Sequence, residues 1–253
     1  MFDIWLSSST LVVVLVPFVV LYSIALVIVW VTHKSPARPY FASCIGIAGP
    51  FFASVGILFG LFAAFLGNDV QRRGANAEAA VFREADGIRT MLRLSEAVGN
   101  NADQIKEAAI TYLKFVLDEE LPKMRTRGAA PNKLGKVRAL SLAVLTASLP
   151  PAVQTAMLGA LATVREARLE RRTLSGDISS PLSWFAVIAL GVLTQIAVAV
   201  VQLDKVRPQQ LALFVFTTAF AVTLAFIALG ERPFSGRSID DEPLREAIAG
   251  ASP

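Results

Sequence analysis

The sequence predicts an all-α, polytopic membrane protein with four transmembrane helices and a helical cytoplasmic domain inserted between the second and third. Three observations predict this fold class. Hydrophobic residues make up 54% of the 253 residues, whereas charged residues make up only 17%. The hydrophobic excess is concentrated in four uncharged blocks, each long enough to cross a bilayer. The polar stretch between the second and third blocks has the periodicity of amphipathic helices.

The first block, Leu11–Thr32, follows a short segment that has no basic start, so we expect a retained span and not a cleaved leader. Pro17 interrupts its middle, and the missing N–H group predicts a kink. The loop that follows, His33–Tyr40, is short. The first and second spans are therefore predicted to form a hairpin.

The second block, Cys44–Gly67, carries a stripe of small residues at steps of three and four, which share one side of a helix. It includes a GxxxG motif, a pattern associated with helix packing in lipid. The stripe consists of Gly49, Ala53, Gly56, Gly60, Ala63 and Gly67, and it is flanked by Phe52, Phe59, Phe62 and Phe65. Two interpretations remain open: the stripe packs against a helix of the same chain, or several copies meet around an axis and this block lines a pore.

The polar stretch that follows is predicted to contain four helices. Their boundaries are set by turn residues and prolines, and Pro122 is expected to end the second helix near Glu120. The predicted helices are Asn76–Val98, Ala102–Glu120, Lys136–Ser148 and Pro151–Arg172.

The third and fourth spans are predicted at Leu182–Leu203 and Leu211–Leu229. Threonines and Gln195 lie inside them, and such side chains usually bond to their own backbone or to the next helix. None of the four spans contains Asp, Glu, Lys or Arg. This argues against ion-coupled transport and is compatible with passive conduction or with a purely structural bundle.

The chain is therefore divided into four predicted parts. These are an N-terminal hairpin (1–67), a cytoplasmic helical domain (68–180), a C-terminal hairpin (181–230) and a tail (231–253). Eight basic residues near the span ends lie on the domain side and four lie in the hairpin loops. We therefore expect an inner-membrane, multi-pass protein whose domain and termini are cytoplasmic.

Motifs for catalysis are absent from the sequence, so no enzyme and no cofactor are predicted. One cysteine, Cys44, and one histidine, His33, leave little material for a metal site. The net charge of +4 is explained by basic residues beside membrane spans. Nucleic acid is therefore not an expected partner.

Four arginines, Arg165, Arg168, Arg171 and Arg172, form a cluster before the third span, and Arg165, Arg168 and Arg172 share a helix face at steps of three and four. Anionic lipid headgroups, domain acids such as Glu119 and Glu120, and an anion-concentrating vestibule are the partners that remain open.

Asp240 and Asp241 precede a short predicted helix near Pro243. Consecutive carboxylates can bind calcium, but this run lacks the alternating spacing of an EF-hand loop. Capping of the helix is favoured over calcium binding.

Four motifs stand out along the chain. They are NAEAAVFREADGI (Asn76–Ile88), YLKFVLDEELPKM (Tyr112–Met124), REARL (Arg165–Leu169) leading to SSPLSW (Ser179–Trp184), and LGERPFSG (Leu229–Gly236). With these motifs the chain resembles the bacterial bestrophin-like family of proteins with a domain of unknown function. The resemblance covers the chain from about Ser54 onward and departs where Leu121 follows Glu120, because the family tends to have tryptophan there.

Bestrophins are pentameric anion channels with a phenylalanine-bearing second helix at the pore neck and a calcium-binding acidic segment after the last span. The resemblance implies that Phe52, Phe59 and Phe62 form a hydrophobic constriction beside Gly56 and Gly60. It also implies a counterpart of the acidic segment at Pro233–Asp241, which is shorter and less acidic here.

The expected function is a homo-oligomeric passive ion channel, with anions favoured and the second span lining the pore. Its expected partners are the lipid bilayer, further copies of the chain and small inorganic ions. The alternative function is a non-conducting membrane scaffold whose cytoplasmic helices bind a partner protein.

Overall fold

The computed structural model describes residues 5–6, 9–36, 49–127, 135–176, 178–203, 205–236 and 239–250. Every regular element within these ranges is helical. Cys44, which opens the predicted second span, lies outside the described residues, and so does the side chain of Phe52.

Ten α-helices follow one another along the described chain. Four of them, α1, α2, α7 and α8, contain stretches long and apolar enough to cross a membrane, which confirms the predicted fold class. The helices are α1 (Thr10–His33), α2 (Gly49–Val98), α3 (Asp103–Phe115), α4 (Leu121–Arg127), α5 (Gly135–Thr146), α6 (Pro151–Gly176), α7 (Pro181–Val201), α8 (Val206–Gly230), α9 (Pro233–Gly236) and α10 (Glu242–Ala249).

The chain forms two compact units. The membrane unit comprises Met1–Gln71 and Ile178–Glu231, and the polar unit comprises Arg72–Asp177 and Arg232–Pro253. The membrane unit holds the apolar stretches, whereas the polar unit holds the amphipathic helices between α2 and α7. The four-part division of the sequence remains a prediction. The cytoplasmic location of the polar unit also remains a prediction.

Helix α2 corrects one predicted boundary. The second span was expected to end at Gly67 and a new helix to begin at Asn76, but α2 runs unbroken for 50 residues. The residues between these points include Gly74 and no proline. One glycine inside a helix costs only about 1 kcal/mol relative to alanine. Burial of Val70 (3% exposed) and Ala77 (0%) offsets this cost, so the helix continues.

The segment around Pro122 corrects a second boundary. The chain does not leave the helix there: a π turn at Val116–Glu120 joins α3 to α4, which ends at Arg127. Leu121 N–H bonds to the carbonyl of Val116 five residues earlier, and this wider ring absorbs an extra residue. Pro122 then falls in the first turn of α4, where its missing N–H group is tolerated.

Neutral polar side chains join the helices of the membrane unit. Tyr22 Oη and Thr218 Oγ1 lie 2.7 Å apart between α1 and α8. Gln195 of α7 donates to Thr217 Oγ1 of α8 at 2.8 Å and to the carbonyl of Leu21 at 3.4 Å.

The threonine hydroxyls of the membrane unit follow the predicted pattern. Thr194, Thr218 and Thr223 each donate to the carbonyl four residues earlier in their own helix, at 2.7, 2.7 and 2.8 Å. The prediction that these groups bond locally or to a neighbouring helix is therefore confirmed.

The polar unit has its own apolar core, to which α2, α3, α5, α6 and α10 contribute. Ile88, Tyr112, Leu140 and Met157 are completely buried in it. Helix α10 adds Leu244 (0% exposed) to this core. The C-terminal segment is thus packed as part of the polar unit.

Candidate functional site

The small-residue stripe of α2 packs against its own chain at some positions and is open at others. A Cβ atom on Gly56 would lie 3.6 Å from Thr194 Cγ2, and one on Gly67 would lie 3.7 Å from Ile227 Cγ1. Ala63 is 7% exposed. A Cβ atom on Gly60 would meet no described atom within 4 Å. Among its described positions, the stripe is therefore packed at Gly56, Ala63 and Gly67 and open at Ala53 and Gly60.

The phenylalanines of α2 divide in the same way. Phe59 is half-buried, and its ring lies 4.9 Å from that of Phe220 and 5.8 Å from that of Phe216, centroid to centroid. Phe62 is 41% exposed and Phe65 is 62% exposed. Among the phenylalanines of the membrane part of α2 whose side chains are described, Phe62 and Phe65 are therefore the ones presented away from the core.

Four charged side chains form a buried ion-pair network in the polar unit. Glu84 belongs to α2, Glu120 to the π turn, and Arg168 and Arg171 to α6, and none is more than 4% exposed. Arg171 bridges both acids, with 2.7 Å from Nε to Glu84 Oε2 and 2.7 Å from Nη2 to Glu120 Oε2. Arg168 binds Glu120 at 2.6 and 3.3 Å. The network ties three segments of the unit together.

Tyr112 of α3 completes the network by donating its hydroxyl hydrogen to Glu84. Burial, together with the negative charge of Glu84, raises the pKa of the Tyr112 hydroxyl well above its usual range. The hydroxyl thus keeps its proton and remains a hydrogen-bond donor at physiological pH.

The arginines also control the ionisation of Glu120. Burial by itself raises the pKa of Glu120, but the hydrogen bonds and positive charges of Arg168 and Arg171 outweigh burial and lower it. Burial likewise acts to lower the pKa of Arg171, and the neighbouring carboxylates raise it by more. These groups therefore stay charged and paired in the folded chain.

The three arginines predicted to share a face have different environments. Arg168 is buried against Glu120, as in the acid-pairing interpretation. Arg165 is exposed and Arg172 is half-buried, and both line an open cleft. Arg168 is thus inaccessible to a lipid headgroup, which restricts that interpretation to Arg165 and Arg172.

Glu84 and Tyr112 were not predicted as site residues, and Arg171 was predicted as a member of the arginine cluster but not as the residue that bridges two acids. The only signal for Glu84 and Tyr112 is their place inside two of the family motifs, and Arg171 follows the REARL motif closely. Residues that carry the resemblance therefore meet in the buried network. Their contacts join segments distant in sequence, so periodicity alone gives no indication of them.

A second buried carboxylate lies in the membrane unit, where two further motifs meet. Glu231 is 1% exposed and accepts hydrogen bonds from Trp184 Nε1 at 2.7 Å and from the backbone N–H of Ser179 at 3.0 Å. Ser180 caps α7 by accepting from Leu182 N at 3.3 Å. Glu231 thus fixes the end of α8 to the start of α7.

Asp240 and Asp241 each accept a hydrogen bond from the chain itself. Asp240 Oδ1 accepts from the backbone N–H of Glu242 at 2.9 Å, at the start of α10. Asp241 Oδ2 accepts from Arg245 at 3.1 Å. Burial acts to raise the pKa of Asp241, but Arg245 and then Arg125 lower it. Within the described ranges, no three His, Cys, Asp or Glu side chains are grouped to hold a metal ion.

Four potential membrane helices and a polar unit with a buried arginine–glutamate network define a helical integral membrane protein. The model of the bestrophin-like domain matches residues 19–244, which is most of the sequence. The chain therefore belongs to the bestrophin-like family.

Solved structures share this fold. One bacterial bestrophin homologue from Klebsiella pneumoniae, a point variant, has a TM-score of 0.69 at 13% identity, covering 96% of this chain and 96% of that chain. A second variant of that homologue gives 0.67 at 13% identity, covering 94% and 96%. A structure described only as a membrane protein gives 0.68 at 13% identity, covering 95% and 99%. No curated protein sequence matches the chain.

Proposed function

We propose that the protein is a subunit of a homo-oligomeric passive ion channel in the bacterial inner membrane, with α2 lining the pore. The observation that carries this proposal is the uncharged, unpacked face of α2 in the membrane unit, where Ile57 is 71% exposed, Phe62 41% and Phe65 62%. Such a face is suited to apolar surroundings, either lipid or further copies of α2. Membership of the bestrophin-like family favours further copies.

The two groups of phenylalanines suggest different roles. Phe59 contacts Phe216 and Phe220 of its own chain, so we assign it to packing. Phe62 is exposed and lies close in sequence to Gly60, where no described atom approaches. Phe62 is therefore our first candidate for a hydrophobic constriction, with Gly56, Gly60 and Phe52 as neighbours along the helix. An apolar ring of this kind can gate by dewetting.

Passive conduction is supported by the chemistry of the spans. From Leu211 through Gly230 in α8, and throughout α7, the sequence has no ionisable side chain. Ion-coupled transporters usually keep such groups at membrane depth. Anions are favoured because bestrophins, which the chain resembles, conduct anions. The excess of basic residues beside the spans on the polar-unit side supports cytoplasmic placement of that unit and of both termini.

Planar-bilayer recording of the purified protein tests the proposal. We expect chloride current above an empty-detergent control, and a larger or less regulated current in Phe62→Ala. Phe185→Ala is the matched control, because Phe185 is an exposed phenylalanine of α7 (69%) outside the proposed pore. Phe59→Ala is expected to lower the stability of the protein, because it removes the ring contacts with Phe216 and Phe220.

No current in either sodium or potassium chloride at any voltage would contradict the channel. Equal currents in Phe62→Ala and Phe185→Ala would remove Phe62 from the constriction. A preference for cations would keep the pore and reject the anion assignment.

A non-conducting scaffold is the second candidate. It is favoured by large apolar side chains exposed on the polar unit, among them Leu145 (59%) and Leu169 (65%). Surfaces of this kind bind proteins. Light scattering in detergent distinguishes the two functions, because a monomer without current supports the scaffold and an oligomer with current supports the channel.

A further inference from the structure

An open cleft of about 420 Å³ lies in the polar unit between α5 and one face of α6. Its volume is in the range of small-molecule sites. Val137 lines it from α5, and the α6 residues are Ala162, Arg165, Glu166, Arg168, Leu169 and Arg172. The cleft thus combines guanidinium groups with apolar surface.

Arg165 differs from its neighbours in this region. Arg168 is held by Glu120 and Arg171 by Glu84 and Glu120, so their positive charges are balanced within the unit. Arg165 is exposed and makes no hydrogen bond or ion pair with any residue that the structure describes. Its guanidinium therefore supplies donors that the described part of the chain does not use.

A guanidinium presents paired N–H groups that match the oxygens of a phosphate, and charge-assisted bonds of this kind are among the stronger ones. Leu169 is 65% exposed beside Arg165 and offers apolar contact to an alkyl group. Glu166 also lines the cleft and its carboxylate repels an anion. On α6, Leu169 lies one turn from Arg165, so a ligand whose phosphate binds Arg165 can rest its apolar part on Leu169.

We propose that this cleft binds the phosphate group of an amphiphilic anion, with Arg165 as the principal ligand and Leu169 contacting the apolar part. The phosphate can come from an anionic lipid headgroup or from a free organic phosphate. The cleft is lined by α5 and α6 and not by α2, the helix assigned to the pore, so the proposal holds or fails independently of conduction.

Binding is measured by thermophoresis on the full chain in dodecyl maltoside, with dihexanoyl phosphatidic acid, glycerol 3-phosphate and inorganic phosphate as separate probes. We expect saturable binding of at least one organic phosphate and a loss of about tenfold in affinity in Arg165→Gln. Arg93→Gln is the matched control, because Arg93 is exposed on α2 of the same unit and does not line the cleft. Glu166→Gln is expected to bind the organic phosphates more tightly. Leu169→Gln is expected to weaken the binding of dihexanoyl phosphatidic acid and of no other probe.

If dihexanoyl phosphatidic acid binds and glycerol 3-phosphate does not, the phosphate comes from a lipid headgroup. Comparable binding of both, unchanged in Leu169→Gln, would show that the phosphate alone is recognised and would overturn the contact with Leu169. Absence of saturable binding by any probe overturns the proposal, as does equal affinity in Arg165→Gln and Arg93→Gln. Retention of the wild-type unfolding temperature in Arg165→Gln separates lost binding from lost folding.

Discussion

The two units bury polar groups in different ways. Within the spans of the membrane unit, Gln195, Thr217 and Tyr22 are neutral side chains that join helices through hydrogen bonds, and the buried carboxylate of that unit, Glu231, lies beyond the end of α8. In the polar unit, Glu84 and Arg171 are fully buried ions that join helices through paired contacts. Charged groups are costly inside a bilayer, whereas a water-exposed unit can bury them when each finds a partner. The medium around each unit therefore selects its polar interactions.

The largest expected effect comes from removing the central cation of the buried network. Arg171→Met leaves Glu84 without its arginine and Glu120 with one partner fewer. We expect a loss of about 3–5 kcal/mol in the free energy of unfolding. Denaturant unfolding of the detergent-solubilised protein measures it.

Arg83→Met is the control for this variant. Arg83 pairs with Glu170 at the surface, where its side chain is 51% exposed, and such pairs contribute about 1 kcal/mol or less. Similar losses in Arg171→Met and Arg83→Met would show that burial does not strengthen the network.

The next largest effect is expected at glycines where two helices approach closely, and both units contain such a glycine. A Cβ atom on Gly191 of the membrane unit would lie 2.0 Å from Phe220 Cζ, and one on Gly87 of the polar unit would lie 2.7 Å from Val164 Cγ2. We expect Gly191→Ala and Gly87→Ala each to cost about 1–3 kcal/mol in unfolding free energy, because neighbouring helices must move.

Gly60→Ala is the matched control, because no described atom lies within 4 Å of the added methyl. Alanine is the better helix former, so this variant should unfold no more easily than the wild type. A clear loss in Gly60→Ala, measured in the same unfolding experiment, would show that an unseen neighbour occupies that position.

A smaller effect is expected from the neutral bonds of the membrane unit. Gln195→Leu removes the bond to Thr217, and membrane hydrogen bonds of this type contribute about 1 kcal/mol or less. Gln195 Oε1 is buried without a hydrogen-bond partner in the described structure, which reduces the loss further. Thermal unfolding in detergent should therefore shift little, and a shift as large as that of Arg171→Met would contradict the contrast between the units.

The smallest expected effect concerns the ionisation of Glu120, which changes the stability of the protein only at acidic pH. The folded-state pKa of Glu120 is lowered, so its stabilising contribution is complete above the unfolded value of about 4.3. That contribution is lost as the pH falls from this value through the lowered pKa of the folded state. Unfolding temperature should be insensitive to Glu120 above about pH 5, and Glu120→Gln should show a weaker acid-induced decrease than the wild type.

The sequence predicted the spans well and the boundaries between helices less well. Uncharged apolar blocks are sufficient to identify α1, α7 and α8, because crossing a bilayer requires length and hydrophobicity alone. Gly67 and Pro122 were wrongly expected to border helix ends. Burial of Val70 and the π turn at Val116–Glu120 overrode these local signals.

The site was predictable only in part, for a related reason. Pairing of Arg168 with Glu120 was among the interpretations left open, because charge complementarity is visible in the sequence. Arg171 was missed as the bridging residue, since its partners lie on other helices. Gly191 was missed because a glycine's tight contact depends on a ring, that of Phe220, supplied by the next helix.

The π turn before Pro122 also sets the direction in which each side chain of α4 points from the helix axis. Each residue rotates the next side chain by about 100° around a helix axis. Deleting one residue from Val116–Glu120 would restore ordinary winding, swing the acid away from both arginines and move the proline into a helix interior. The extra residue of the π turn therefore works as a spacer that directs the Glu120 carboxylate toward the arginines.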